Sequence, residues 1–338
     1  VDTIRYLKGD LALTFGNAMR EYALVLGKKN FFTFGEILDS NEESDIATII
    51  GRNTVLSTDG MNGPVGVDAA LDYPLFNTFV PAAKGERAPG VVTNMYTIRK
   101  SKEQNVISSH GDATRYFVTF LDNHDVKHRF HCEPSGDEHR YDDQLTMALA
   151  CLYSLPGIPC VYYGTEQGLH GQGVGASPND AVVREALWGL APDFPQDSPF
   201  YASMQQIATV RNEQPALRYG RFYFRPVSGD HFHFGVSPYP GGILAWSRIL
   251  NDEEVLVVAN TNTTTTLEVD VILEWVLSDD GEAVRILYSN KTAPVGPSGV
   301  GTLLSVQVTE LNGTIGTGPL HVTHVTLQPM EVQVLRIK

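Results

Sequence analysis

At 338 residues the chain can bury a large core, and its length suggests two or three domains. Its 39 acidic and 25 basic residues leave a net charge of -14, which argues against nucleic acid and anionic membrane as partners, since no Lys/Arg stripe exists to neutralise phosphates. Cys132, Cys151 and Cys160 are too widely spaced for a disulfide framework or a CxxC metal knuckle, no apolar run reaches the roughly 18 residues of a membrane span, and no signal peptide is visible.

The chain opens on VDTIRYLKGD, read as the end of a strand already under way, so Val1 is expected to be a cut or processed end. Helical periodicity covers Asp10–Leu26, with Asp10 as N-cap and Gly27 just past the end. NFFTFGEI (Asn30–Ile37) reads as a short apolar strand ending at Gly35-Glu36. A long polar loop follows, with a short helix at Glu43–Ile50; its Asp59, Asn62 and the nearby Asp68 have no assigned role. Val65–Tyr73 is a second strand and Pro74–Ala83 a helix, after which residues 84–112 mix helix and loop.

Tyr116–Leu121 is an aromatic and β-branched strand that runs into Asp122, Asn123, His124 and Asp125. Such a polar cluster is either a turn-making rim or chemistry presented at the carboxyl end of a strand. His128–Asp142 is a polar loop, Asp143–Leu155 a helix stopped by Pro156-Gly157, and Ile158–Tyr163 a strand in which Pro159 suits a first position or an edge. A Gly-rich loop, Gly164–Asp180, and a helix, Phe200–Glu213, complete this part. Cys151 and Cys160 lie in apolar contexts and read as core thiols.

Strand and helix alternate here as in a βα repeat over a parallel sheet, with strand ends near Asp2, Glu36, Asp72, Asp122–Asp125 and Tyr163–Glu166. The Gly-rich tracts match neither GxGxxG nor a phosphate-gripping loop. From about Gly220, short alternating strands take over: Phe222–Phe224, Phe232–Val236, Ile243–Ile249, Glu254–Asn260, Thr265–Val271, Ala283–Tyr288, Leu303–Leu311, Val322–Gln328 and Glu331–Arg336. They predict an antiparallel β-sandwich over 220–338 behind an α/β domain over 1–219, with the Thr tract at 261–266 as a hairpin end.

Asp2, Glu36 and Asp125 are carboxylates at three strand ends, and acetal cleavage needs a nucleophile and a proton donor close together. Four segments resemble the α-amylase superfamily of retaining glycoside hydrolases (glycoside hydrolase family 13). Val1-Asp2-Thr3 is similar to the nucleophile-bearing fourth-strand motif, Phe34-Gly35-Glu36 to the fifth-strand motif and Phe120–Asp125 to the seventh. Pro156-Gly157-Ile158-Pro159 through Tyr162-Tyr163-Gly164 and Glu166 resembles the eighth strand and its loop. The resemblance implies strands four to eight of a (β/α)8 TIM barrel followed by the C-terminal sandwich, and a glycosidase that cleaves α-glucosidic bonds of starch-like glucans or oligosaccharides.

It further implies Asp2 as nucleophile, Glu36 as acid/base and Asp125 as transition-state stabiliser, with His124, Asn123, Arg5 and Tyr163 binding sugar. The Glu36 pKa is expected to rise beside Asp2 and Asp125, and the Asp2 and Glu36 carboxyl groups to lie ~5–5.5 Å apart. The chemistry needs no cofactor. A structural calcium is compatible with the resemblance, but Arg5 and Tyr6 stand where many members have Lys and His. His128, His131 and His139 with Asp137 and Asp142 match no zinc spacing. Tyr162 and Tyr163 read either as core or as sugar platforms, and Arg184-Glu185 either as an acceptor-side loop or as a surface ion pair.

The resemblance also implies that the first three strands are supplied by a preceding segment or another chain, because five strands of an eight-stranded barrel leave apolar edges exposed. Two alternatives to hydrolysis stay open: a transglycosylase or isomerase of the sucrose or trehalose type, and an inactive member serving as a binding or assembly subunit. Secreted and cytoplasmic locations are both compatible.

Overall fold

The computed structural model describes residues 1–7, 9–29, 31–38, 46, 67–102, 114–132, 140–171, 180–187, 195–291 and 301–337. Most of the helix expected at Glu43–Ile50, and Asp59, Asn62, Asp137 and His139, lie outside them. The chain forms two compact units. One comprises Val1–Thr78, Asn94–Phe120 and Pro156–Cys160; the other comprises Phe79–Thr93, Leu121–Leu155 and Val161–Lys338.

In the first unit β1 (Phe34–Gly35), β2 (Ala69–Leu71), β3 (Phe117–Thr119) and β4 (Ile158–Pro159) lie parallel in chain order. Gly35 is opposite Ala70, Ala70 opposite Phe117, and Val118 opposite Ile158. Val1 continues the ladder: its nitrogen donates to Phe34 O at 2.7 Å and its carbonyl accepts from Glu36 N at 3.0 Å, the alternation of a parallel pair. Along the chain the strands are separated by α1 (Gly9–Val25), α2 (Tyr73–Ala83), α3 (Gly90–Lys102) and α4 (Asp142–Ser154). This is a portion of a (β/α)8 barrel.

The strands are shorter than their apolar runs. Tyr116 sits in a 3-10 turn, and Phe120 and Leu121 are buried beyond the ladder. Ile158–Tyr163 keeps only its first two residues as strand: Pro159 has no N–H, and Cys160 N supplies the last bond, to Thr119 O at 2.8 Å. An apolar run reports burial, whereas a ladder also needs a neighbour. Asp72, at the end of β2, points inward. Its carboxylate pairs with Arg99, both side chains fully buried, and accepts from Leu75 N at 3.0 Å to cap α2. Cys151 is buried, Cys160 is only partly so, and no cysteine is paired.

In the second unit α4 is buried over most of its surface, from Gln144 to Ser154. Behind it lie α5 (Pro199–Glu213), α6 (Pro215–Tyr219) and a β-sandwich. One layer runs β5 (Arg221–Phe224), β8 (Ile243–Leu250), β9 (Glu253–Asn260), β14 (Val332–Ile337) and β11 (Ala283–Ser289). The other runs β12 (Gly301–Leu311), β13 (Thr314–Leu327), β10 (Leu267–Ile272) and β6 (Val227–Ser228), with β7 (His233–Phe234) alongside β12. Ile243, Leu256, Val258, Val271, Ile286 and Leu327 meet between the layers. Trp246 and Arg248 of β8 donate to Ser154 O, joining the sandwich to the end of α4.

Two expectations are corrected. The Thr tract is not a hairpin end: β9 pairs with β8 and β14 and β10 with β13 and β6, so residues 261–266 cross between layers. Asn262 Oδ1 shapes the crossing by accepting from Thr264 N and Thr265 N. β13 starts eight residues before Val322, at Thr314, because its ladder with β12 runs through Gly318 and Pro319 despite their low strand propensity. The β12–β13 turn is Asn312-Gly313 with φ of 51° and 77°, the type I′ geometry that this dipeptide favours.

Candidate active site

The first group of candidate side chains stands where Val1 and β1 end. Gly35 permits it: a Cβ there would lie 2.6 Å from Cγ2 of the buried Ile4. The backbone that follows Val1 can therefore pack directly on β1. Thr3 turns the chain with φ of 47° and donates its N–H to Glu36 Oε2 at 3.3 Å. Tyr73 Oη donates to Glu36 Oε1 at 3.1 Å. The Tyr73 ring is fixed edge-on to Phe120, with centroids 5.2 Å apart.

Burial raises the Glu36 pKa above its usual 4.5, and a side-chain hydrogen bond with Asp2 raises it further, against the two donors that lower it. Asp2 is thus a neighbour of Glu36 and adds to the rise of its pKa. Arg5 lies in the 3-10 turn Ile4–Tyr6, and its side chain is not among those described.

The second group follows β3 and divides into structural and displayed residues. Asp122 is buried and accepts from Phe130 N at 3.0 Å and Thr165 Oγ1 at 2.9 Å; burial raises its pKa against those bonds. Asn123 Oδ1 accepts from Asp125 N at 2.8 Å, a turn-making contact. His124 and Asp125 are displayed, with Nε2 3.1 Å from Oδ2. Arg184 reaches both, Nη2 to Asp125 Oδ1 at 2.9 Å and Nε to His124 O at 3.1 Å.

Glu185 is not a surface acid. It pairs with the buried Arg129 at 2.7 Å, while Tyr163 Oη donates to Glu185 O at 2.8 Å. The tyrosines therefore serve a use that neither expectation foresaw, tethering the segment at 183–185. Tyr73, Arg129 and the role of Arg184 escaped the sequence reading. Tyr73 alone carried a signal, as the residue that follows a strand end.

Among the described residues no three of His, Cys, Asp and Glu gather as metal ligands would, so none is assigned a calcium role. His131 Nδ1 lies 2.9 Å from Gly168 O and Nε2 3.0 Å from Asp142 Oδ1, a brace between loop and α4.

The profile of the alpha-amylase family, described as "Alpha amylase, catalytic domain", matches residues 12–190, just over half of the chain. The chain belongs to the alpha-amylase family. Among curated relatives, the cyclomaltodextrin glucanotransferase of Geobacillus stearothermophilus is 32% identical over 143 residues, 42% of this chain and 16% of that protein. Among solved structures, CldA, a cyclomaltodextrin glucanotransferase with a three-domain ABC distribution, aligns with all of this chain and 55% of its own at TM-score 0.65 and 21% identity. The alpha-amylase of Geobacillus thermoleovorans in complex with acarbose aligns with 99% of this chain and 58% of its own at TM-score 0.63 and 18% identity. These two likenesses concern the fold. The chain thus spans less than two thirds of the length of each of these three proteins. No described helix is long and apolar enough to cross a membrane.

Proposed function

We propose that the protein containing this chain cleaves α-glucosidic bonds with retention and passes the glycosyl group to a sugar hydroxyl in preference to water. The observation that carries the reading is the Glu36 carboxyl, held by Thr3 N and Tyr73 Oη beside Asp2 with its pKa raised. A carboxyl that holds its proton more tightly than usual beside a second carboxyl group suits the proton donor that acetal chemistry requires.

Asp2 attacks the anomeric carbon as Glu36 gives its proton to the leaving oxygen. In the second step Glu36 takes the proton of the acceptor hydroxyl, whose oxygen displaces Asp2. Asp125 and His124 bind hydroxyls of the reacting sugar, and Arg5 and Tyr163 flank it. The preference for transfer is supported by the similarity to cyclomaltodextrin glucanotransferases.

The rest of the barrel is supplied by further polypeptide. The apolar side chains Leu11, Phe15, Phe31, Phe32 and Phe34 are exposed in the first unit, apolar surface that such a segment would cover.

The test is a product analysis of the full-length protein on maltoheptaose with and without added glucose. Longer or cyclic glucans that accumulate under acceptor control support transfer; only shorter maltosaccharides from the start return the reading to hydrolysis. If sugar binds but no α-glucoside is cleaved, the binding-subunit alternative takes its place.

A further inference from the structure

We infer that Arg184 is a positioning residue for Asp125 and that the buried Arg129–Glu185 pair sets Arg184 in place. The inference rests on the reading of Asp125 as the carboxylate that steadies the reacting sugar.

Arg184 grips two adjacent residues at once, the Asp125 carboxylate and the His124 carbonyl. With His124 Nε2 at the other oxygen, the Asp125 rotamer is defined from both sides. Each carboxylate oxygen keeps one further acceptor position for a sugar hydroxyl. An exposed ion pair is weak by itself, and Arg184 is 46% exposed. Its neighbours hold the backbone from which it reaches. Val183 is fully buried, and its carbonyl accepts from Tyr162 Oη at 3.0 Å. Glu185 is held three times: at its carbonyl by Tyr163 Oη at 2.8 Å, and at its carboxylate by Arg129 Nε at 2.7 Å and Gly171 N at 2.9 Å.

Arg129 is fully buried, donates to Tyr163 O at 2.7 Å and lies over the Tyr162 ring at 4.6 Å. It also follows Asp125 by four residues, which closes a circuit. The chain runs from Asp125 to Arg129, the buried pair crosses to Glu185, the next residue back is Arg184, and Arg184 returns to Asp125. A side chain fixed by such a circuit loses little freedom when substrate arrives, so the circuit contributes to turnover more than to ground-state affinity.

The test compares Arg184→Ala, Glu185→Gln and the double variant of the full-length protein on maltoheptaose. Each single change should lower kcat by about 10- to 100-fold with a smaller effect on KM. The double variant should lose no more than the worse single one, because both changes cut one circuit. Losses that multiply, or an Arg184→Ala variant with unchanged kcat, overturn the inference. Arg184→Lys, which cannot span both acceptors, should be intermediate.

Should Glu185→Gln fold poorly, Tyr162→Phe frees Val183 O without unpairing a charge. Its smaller loss should vanish in the Arg184→Ala background; persistence of that loss counts against the circuit. The Asp125 carboxyl carbon NMR signal reads the same geometry without turnover. It should move alike in Arg184→Ala and Glu185→Gln or Tyr162→Phe, and an Asp125 signal unmoved by the anchoring changes overturns the inference. An inactive wild type with these shared movements defeats the proposed function and leaves the positioning intact.

Discussion

Tyr73 Oη donates to Glu36 Oε1 at 3.1 Å, on the opposite oxygen from the Thr3 N–H. The hydroxyl favours the ionised carboxylate, whereas burial and Asp2 favour the acid. Tyr73→Phe should therefore raise the Glu36 pKa further. In the full-length protein the alkaline limb of kcat/KM, where the acid form is lost, should move to higher pH. A limb that stays put or moves down separates Tyr73 from the ionisation of Glu36.

Glu36→Gln should lower kcat by about 10²- to 10⁴-fold, the usual contribution of an acid/base group. The raised Glu36 pKa also has a sign for stability. The folded state holds this proton more tightly than the unfolded state, so wild-type stability declines as pH rises from 4.5 through the folded pKa. The variant lacks that decline. Urea titrations on both sides of the window should show its relative stability improving with pH; a difference that is constant in pH excludes the linkage.

Asp72 and Arg99 form an ion pair with both side chains at 0% exposure. Asp72→Ala takes the carboxylate away from the buried guanidinium and uncaps α2, at a cost of about 3–5 kcal/mol. Replacing both partners by apolar residues should be far milder. Chemical denaturation of the single and double variants decides between a buried charge problem and simple loss of packing.

Gly35→Ala introduces a Cβ 2.6 Å from Ile4 Cγ2, and Ile4 is buried with little room to yield. The strain falls on the backbone between Asp2 and Glu36. We expect activity on maltoheptaose to fall at least 10-fold, roughly what an ångström of misplacement costs. The melting temperature should fall as well, since overpacking of this kind costs about 1–3 kcal/mol. Unaltered kcat would show that β1 can shift without disturbing Glu36.

In the sandwich, the buried Asp270 accepts from His231 Nδ1 and His324 Nδ1, with Asp230 also near His231. The bond to Asp270 raises the His231 pKa above 6.5. Its contribution is fully present below pH 6.5 and is lost as pH rises through the folded pKa. Proton NMR should find His231 titrating above the ordinary value and returning towards it in Asp270→Asn. The loop at 229–233 should exchange amide hydrogens faster in the deprotonated form.

The sequence by itself was enough to identify a parallel α/β part and an antiparallel β part, because periodicity and β-branched composition report local burial directly. It also singled out Glu36 and Asp125, since a carboxylate just past an apolar run is a local pattern. Three matters depended on tertiary structure. Ladder length depended on whether a neighbour was present, so Tyr116–Leu121 keeps only Phe117–Thr119 as strand. Polar residues of one cluster separated by direction: Asp122 inward, Asn123 into its own turn, His124 and Asp125 outward. Partners distant in the chain, such as Arg129 with Glu185 and Tyr73 with Glu36, leave no trace in local pattern. Within the polar run after β3, Asn123 alone makes the turn, and that turn displays His124 and Asp125. Composition determines which groups are available, but only folding decides which of them lose water and which donors they meet in its place.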